Sequence, residues 1–289
     1  MANEHHIRNP FEMAVSGVTG AVSDAGRVLA EARPRTAERD GPVAIRRIAP
    51  ADLWDALKKG AGDIGAARDD VLFIALIYPL AGLLLASLAL NNRLTPLVFP
   101  LISGFALLGP LAAIGLYEIS RRREKGEPVS MATPLAVLKS PALGDVLRLA
   151  AILVMIFFAW MIAAWSIYAV TLGPEAPTTS AAFMRDVLTT PAGWSMIALG
   201  VAVGAVFAAA TFAISVVSFP MMLDRHVQLP TAVGASWRAI RENPGTMALW
   251  GLSVAGLLVL GSLPALAGLV FVVPLLGHAS WHLYRKVVG

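Results

Sequence analysis

Long apolar segments, separated by short polar ones, dominate the pattern of this chain. A helix needs about 20 mostly apolar residues to cross a bilayer. The last apolar stretch is too long for one helix, and we divide it at the turn-forming residues 261–264. The pattern then predicts six transmembrane helices, at residues 71–90, 96–120, 147–172, 194–223, 246–260 and 264–284.

The basic residues test this division, because segments on the cytoplasmic side of a membrane are enriched in Lys and Arg. With six spans, 21 of the 23 Lys and Arg residues fall on one side and two, Arg93 and Arg185, fall on the other. With five spans, Arg285 and Lys286 would be on the outer side. We therefore expect six spans, with both termini in the cytoplasm.

Three short cytoplasmic segments resemble one another and precede the first, third and fifth spans. They contain Leu53-Trp54-Asp55-Ala56-Leu57, Ala136-Val137-Leu138-Lys139 and Ser236-Trp237-Arg238-Ala239-Ile240. This spacing predicts three repeats, at 51–125, 131–228 and 231–289, each formed by a surface helix and a transmembrane hairpin. The predicted fold class is therefore all-α: a polytopic membrane helical bundle of six transmembrane helices in three hairpins.

The first surface helix has an apolar stripe that includes Leu53, Leu57 and Ile64. We expect Asp55, Lys59, Asp63 and Asp70 on its opposite, polar face. Two placements remain open from the sequence. The helix lies on the membrane surface, or it packs on the cytoplasmic ends of the bundle.

Residues 1–50 form the second predicted part of the chain, a cytoplasmic tail before the membrane domain at 51–289. Apolar residues from Phe11 to Leu29 recur at spacings of three and four, which predicts an amphipathic helix at 10–32. Glycines at 17, 20 and 26 weaken that helix. We expect it to be ordered only with a partner, and residues 33–50 to be a linker.

Composition narrows the class of protein. Hydrophobic residues make up 57% of the chain and charged residues 15%, too few charges for the surface of a soluble domain of this size. The chain has no cysteine, which excludes disulfides, zinc–thiolate sites, iron–sulfur clusters and a cysteine nucleophile. The basic cluster at 121–125 comes with no nucleic-acid-binding motif, so we expect no nucleic-acid partner.

Residues 52–123 contain five characteristic segments, Leu53-Trp54-Asp55-Ala56-Leu57, Tyr78-Pro79-Leu80-Ala81-Gly82-Leu83, Phe99-Pro100-Leu101, Gly104-Phe105-Ala106-Leu107-Leu108-Gly109-Pro110 and Gly115-Leu116-Tyr117-Glu118-Ile119-Ser120-Arg121-Arg122. With these segments the chain resembles a family of bacterial integral membrane proteins, domain-of-unknown-function 2189. The resemblance implies a multi-pass protein of the bacterial inner membrane and implies no activity.

Few residues suggest chemistry. His278 and His282 share one helix face, but two ligands do not complete a metal site. We interpret them as interfacial polar anchors. The central turns of the spans lack ionisable residues, which disfavours ion-coupled transport. Gly200, Gly204 and Ala208 recur at a spacing that favours close helix packing, within the bundle rather than in a dimer.

The sequence therefore predicts no catalytic, cofactor-binding or metal-binding residue, and no enzyme. The favoured function is a non-enzymatic scaffold or assembly factor for a membrane complex. Its expected partners are membrane lipids and another membrane protein that contacts the tail. The alternative is a passive transporter or lipid-handling protein that uses a polar cytoplasmic mouth at Glu118, Asp224 and His282.

Overall fold

The computed structural model describes residues 43–66, 80–85, 87, 94–130, 132–175, 177–264 and 266–289. The described residues are helical and contain no strand, which confirms the predicted all-α class for this part; one isolated bridge joins Ile45 and Val288. The predicted tail helix at 10–32 lies outside the described residues. So does most of the first span, of which residues 80–85 and 87 are helical.

Eleven α-helices are defined within the described ranges, together with 3-10 helices at Thr95–Leu97 and Thr133–Lys139. The α-helices are α1 (Pro50–Ala66), α2 (Val98–Leu107), α3 (Gly109–Ala112), α4 (Ile114–Glu124), α5 (Leu143–Thr171), α6 (Ser180–Thr189), α7 (Pro191–Ser215), α8 (Ser218–Arg225), α9 (Leu229–Glu242), α10 (Pro244–Ser262) and α11 (Leu269–Val287).

Three helical segments in the described part are long and apolar enough to cross a membrane. They are Leu143–Thr171, Pro191–Arg225 and Pro244–Ser262, which coincide with the third, fourth and fifth predicted spans. A threonine cap and a proline define where α7 begins: the Thr190 hydroxyl accepts a hydrogen bond from the Gly193 N–H at 3.0 Å, and Pro191 occupies the first turn. The sixth predicted span corresponds to α11, which begins at Leu269 after a turn.

The second predicted span, 96–120, is not one continuous helix, and the structure does not confirm it as a single span. It is divided into α2, α3 and α4, with breaks at Leu108 and Ala113. Pro110 has no N–H to donate to the carbonyl four residues earlier, and its ring crowds that carbonyl. Pro220 has the same effect in the fourth span, where the helix breaks at Val216 and Val217.

The three predicted surface segments pack on the ends of other helices, which supports the packing alternative. In α1, Leu53, Ala56 and Gly60 are buried against α11, and Trp54 points outward with 61% of its surface exposed. α9 follows the same pattern: Ala235 and Ala239 are buried, whereas Trp237 is exposed. The second segment is only a 3-10 helix, Thr133–Lys139, which covers its neighbour less completely.

Each surface segment packs on the end of a different set of helices. The Thr133–Lys139 helix packs on α4, α9 packs on α7 and α8, and α1 packs on α11. The helices α4, α8 and α11 also contact one another. We call this region, formed by α4, α8 and α11 with the three surface segments packed on them, the capped end. The large apolar core lies there and includes Trp250, Trp281, Tyr284, Phe219 and Leu116.

Residues 43–49, which the sequence places in a linker, bind to the capped end. The Asn243 side chain accepts a hydrogen bond from the Ile48 N–H at 2.8 Å and donates one to the Arg46 carbonyl at 3.1 Å. The Arg46 N–H donates to the Val287 carbonyl at 2.7 Å. The membrane domain therefore begins to make specific contacts before residue 50.

Candidate functional site

Asp63 is the centre of the most extensive polar network at the capped end. The sequence predicts this residue on the polar face of α1, and that prediction is wrong, because Asp63 is only 7% exposed. The face of α1 that meets α11 is formed by Ala56, Gly60 and Asp63, at helical spacing. Gly60 has no side chain, so the backbones of α1 and α11 approach closely at Ala279 and bring Asp63 into the interface.

Two helices, α4 and α11, supply the partners of the Asp63 carboxylate. On α4, the Ser120 hydroxyl donates to Oδ2 at 2.6 Å, and Arg123 Nη1 lies 3.1 Å from Oδ1. Arg123 also donates to the Asp63 backbone carbonyl at 2.7 Å. On α11, His282 Nε2 lies 2.9 Å from Oδ2. One carboxylate therefore links α1 to both α4 and α11.

His278 extends the network by one further hydrogen bond. Its Nδ1 lies 2.7 Å from the Ser120 hydroxyl oxygen. The single proton of that hydroxyl goes to the carboxylate, so the Nδ1–H of His278 is the donor to Ser120. Neutral His278 then carries a lone pair on Nε2, and this buried atom has no hydrogen-bond partner among the described residues.

The interpretation of His278 and His282 as interfacial anchors is therefore wrong. His278 is fully buried, and both side chains belong to the Asp63 network. Within the described ranges, no group of three or more His, Cys, Asp or Glu side chains is arranged to hold a metal ion. The order of groups is carboxylate, hydroxyl, imidazole, so the hydroxyl proton points to the carboxylate rather than to a histidine base, unlike a Ser-His-Asp triad.

The electrostatics of the network favour an ionised Asp63. Burial alone would raise the pKa of this carboxyl group, but the hydrogen bonds from His282 and Ser120 lower it and outweigh the effect of burial. The pKa of Asp63 is therefore lowered from its ordinary value of 3.8. The network thus acts as a charged clasp between α1, α4 and α11.

This lowered pKa predicts an acid-dependent loss of stability. The unfolded chain binds the Asp63 proton more tightly than the folded protein does, so the contribution of Asp63 is complete above its unfolded value of 3.8 and is lost as the pH falls through the lower folded-state value. We expect the difference in thermal midpoint between the wild type and Asp63→Asn, measured in detergent, to shrink as the pH falls below about 4. A difference that stays constant down to about pH 3 would show that Asp63 is not ionised in the folded protein.

The other two members of the predicted polar mouth have separate partners. Glu118 is buried and pairs with Arg121 at 2.7 Å and with Arg122 at 2.8 Å. Asp224 accepts a hydrogen bond from the Tyr284 hydroxyl at 2.8 Å and lies 3.2 Å from Arg285. All three predicted mouth residues lie at the capped end, but each belongs to a different set of contacts.

Two clefts stand out on the described surface. One, of about 200 Å³, lies at the capped end beside Glu118, Arg122 and Lys139. The other, of about 260 Å³, is almost wholly apolar and lies between α2, α5 and α7. In this apolar cleft Gly204 packs against Trp160, since a Cβ atom at Gly204 would lie only 3.1 Å from the ring. The predicted packing within the bundle therefore holds at Gly204, whereas a Cβ atom at Gly200 would have no described neighbour within 4 Å.

Sequence reasoning missed Asp63, Ser120 and Arg123 as members of one site. The signal that could have found Asp63 is its spacing from Ala56 and Gly60, two small residues on the same helix face. Ser120 and Arg123 lie at the polar end of the second predicted span, where hydroxyl and basic side chains are common and do not by themselves indicate a site. Their role depends on the packing of α4 against α1 and α11, which no local pattern encodes.

Comparison with known proteins provides one match. No curated protein and no solved structure is significantly similar to the chain. Residues 98–224, which include α2 to α7, most of α8 and the Ser120–Arg123 part of the clasp, match a family model described as "Predicted integral membrane protein (DUF2189)". The family resemblance is thereby confirmed over this stretch, and the protein is an integral membrane protein with apolar helices.

Proposed function

We propose that the protein crosses the bacterial inner membrane six times, with the capped end and both termini in the cytoplasm. One feature supports this orientation, and a second supports a position of the capped end at a membrane surface. The basic residues Arg121, Arg122, Arg225 and Arg285 lie at the capped end, and cytoplasmic segments are the ones enriched in Lys and Arg. The exposed tryptophans of α1 and α9 flank that end, where amphipathic rings favour the membrane interface.

We propose further that the protein is a non-enzymatic scaffold or assembly factor for a membrane complex. The observation that carries this proposal is the contrast between the two parts of the molecule. The capped end is densely packed and closed by the Asp63 clasp. By contrast, the apolar 18-residue stretches of the three described spans are mostly exposed. Only 28% of the stretch in Leu143–Thr171, 6% of that in Pro191–Arg225 and 17% of that in Pro244–Ser262 is buried. A rigid end that holds widely exposed helices suits a protein whose helices contact other membrane proteins.

The second candidate function is lipid handling, and the apolar cleft favours it. This cleft is lined by Trp160, Phe99, Leu107 and small residues of α7. Its chemistry suits an acyl chain, because only apolar atoms and a single hydroxyl, that of Ser103, face it. A passive transporter would instead need a polar path along the spans, and neither cleft supplies one.

Photo-crosslinking in living cells distinguishes the two functions. A photoreactive residue replaces Val206 on α7 or Leu252 on α10, both of which are exposed in the spans, and Ala239, which is fully buried, serves as the matched control. A scaffold predicts a discrete crosslinked protein band from Val206 or Leu252 and none from Ala239. Deletion of residues 1–42 should weaken that band, if the tail contributes to the contact, and should leave the membrane domain inserted.

The opposite result is equally clear. If Val206 and Leu252 crosslink only to lipid, and purified protein in liposomes transfers lipid or releases a trapped solute, the scaffold proposal is contradicted. In that case the lipid-handling or transport alternative replaces it.

A further inference from the structure

The cleft at the capped end exists because one surface helix is short. The 3-10 helix Thr133–Lys139, which packs on α4, has seven residues, whereas α1, which packs on α11, has 17. The shorter element leaves a space of about 200 Å³ between the end of α4, the segment 136–141 and the end of α8.

Basic donors line this space. Arg121 and Arg122 are held in place by the buried Glu118, which accepts hydrogen bonds from Arg121 Nε and Nη2 and from Arg122 Nε. Neither Nη atom of Arg122, nor Nη1 of Arg121, has a hydrogen bond in the described part of the chain. Two guanidinium groups are thus fixed in orientation while part of each remains free to donate.

Lys139 and Ser140 complete the set from the opposite wall. Lys139 is exposed and has no ion pair with any described residue. The Ser140 oxygen accepts from the Ala142 N–H at 3.2 Å, which leaves its own O–H available as a donor. His226, in the left-handed conformation that ends α8, adds an imidazole at the rim.

The acidic groups nearby offset these charges only in part. Glu118 is inside the lining but is already fully engaged by the two arginines. Glu127 lies 4.0 Å from Arg122 and is half exposed, and Asp224 acts on Arg121 only at longer range. Three basic residues, Arg121, Arg122 and Lys139, against the single carboxylate of Glu118 therefore leave the lining of the cleft with a net positive charge, and Ser140 adds a hydroxyl group.

We propose that this cleft binds a phosphate group, a tetrahedral anion that such donors suit. Arg121 and Arg122 supply fixed N–H donors, Lys139 supplies a mobile charge, and Ser140 supplies a neutral donor. Phosphate chemistry is available from the headgroup of an anionic phospholipid or from a soluble phosphate compound. This site does not depend on the scaffold function, because binding is a property of the cleft alone.

The test measures the thermal midpoint of the full-length protein in detergent with added ligand. The three probes are phosphatidylglycerol, zwitterionic phosphatidylcholine and inorganic phosphate. We expect phosphatidylglycerol or inorganic phosphate to raise the midpoint and phosphatidylcholine to leave it unchanged. A rise with phosphatidylglycerol alone identifies a lipid headgroup, and an equal rise with inorganic phosphate identifies a soluble anion.

The variants decide whether the cleft is the site. Lys139→Gln removes an unpaired surface charge, so the protein should fold normally, and we expect about fivefold weaker binding of the active probe, as for the loss of one basic contact to a headgroup. Lys125→Gln makes the same charge change outside the lining and should bind as the wild type does. Equal losses in both variants, full binding by Lys139→Gln, or no rise with either phosphate probe would overturn the proposal.

Discussion

Replacing Asp63 with alanine should lower the free energy of unfolding by about 3 kcal/mol, the usual cost of leaving buried charged partners without their acceptor. The variant removes the acceptor of Ser120 and His282 and the counter-charge of Arg123. For a domain of this size such a loss corresponds to a fall in thermal midpoint of roughly 6–12 °C. Unfolding of the purified protein in detergent, followed by circular dichroism, measures it.

An exposed ion pair provides the matched control for this variant. Asp186 pairs with Arg185 at 3.4 Å, and both side chains are largely exposed. Asp186→Ala should therefore cost at most about 1 kcal/mol. A double-mutant cycle with Ser120→Ala should reveal a coupling to Asp63, since the two side chains are in direct contact. Equal effects of Asp63→Ala and Asp186→Ala would show that the clasp does not hold the capped end together.

The same substitution at two nearby glycines of α1 should have opposite effects. A Cβ atom at Gly60 would lie 2.7 Å from the backbone nitrogen of Ala279, so α1 and α11 would have to separate. We expect Gly60→Ala to lose about 2 kcal/mol. A Cβ atom at Gly62 would have no described neighbour within 4 Å, and alanine is the better helix former, so Gly62→Ala should gain up to about 1 kcal/mol.

Thermal unfolding in detergent of the two alanine variants, side by side with the wild type, measures this difference. The composition of the pair is identical, so expression level, detergent binding and helix propensity cannot explain a difference in sign. If Gly60→Ala is as stable as Gly62→Ala, then α1 does not pack on α11 at this distance. The position assigned to Asp63 in the interface would then be untenable.

The positions of the long spans could be predicted because their cause is local. The apolar stretches at 147–172 and 246–260 coincide with α5 and α10, since a run of apolar residues long enough to cross a bilayer forms a helix there with little need of neighbours. The breaks at Leu108 and Val216 were less predictable. Pro110 and Pro220 carry the signal, but proline in a transmembrane helix is often accommodated without a break.

The clasp could not be predicted because its cause is long-range. The apolar stripe through Leu53, Leu57 and Ile64 predicts a buried face of α1 that is rotated away from the observed one. With that face buried, Asp63 is expected on the solvent-exposed side. The true interface centres on Ala56 and Gly60, where the absence of bulk, rather than hydrophobicity, determines the contact with Ala279. A buried helix face is recognised in a sequence by large hydrophobic residues at helical spacing, so an interface that consists of small residues is not recognised in this way.

The central claim, an integral membrane protein with its capped end in the cytoplasm, is tested most directly by labelling single cysteines in intact cells. The chain has no cysteine of its own, so each introduced thiol reports one position. Lys125→Cys, Arg241→Cys and a cysteine appended after Gly289 should react with a membrane-impermeant maleimide only after the membrane is permeabilised. Thr178→Cys, in the loop between α5 and α6 that the proposed topology places outside, should react at once. Labelling of the appended cysteine in intact cells, or protection of Thr178→Cys, would contradict the proposed topology.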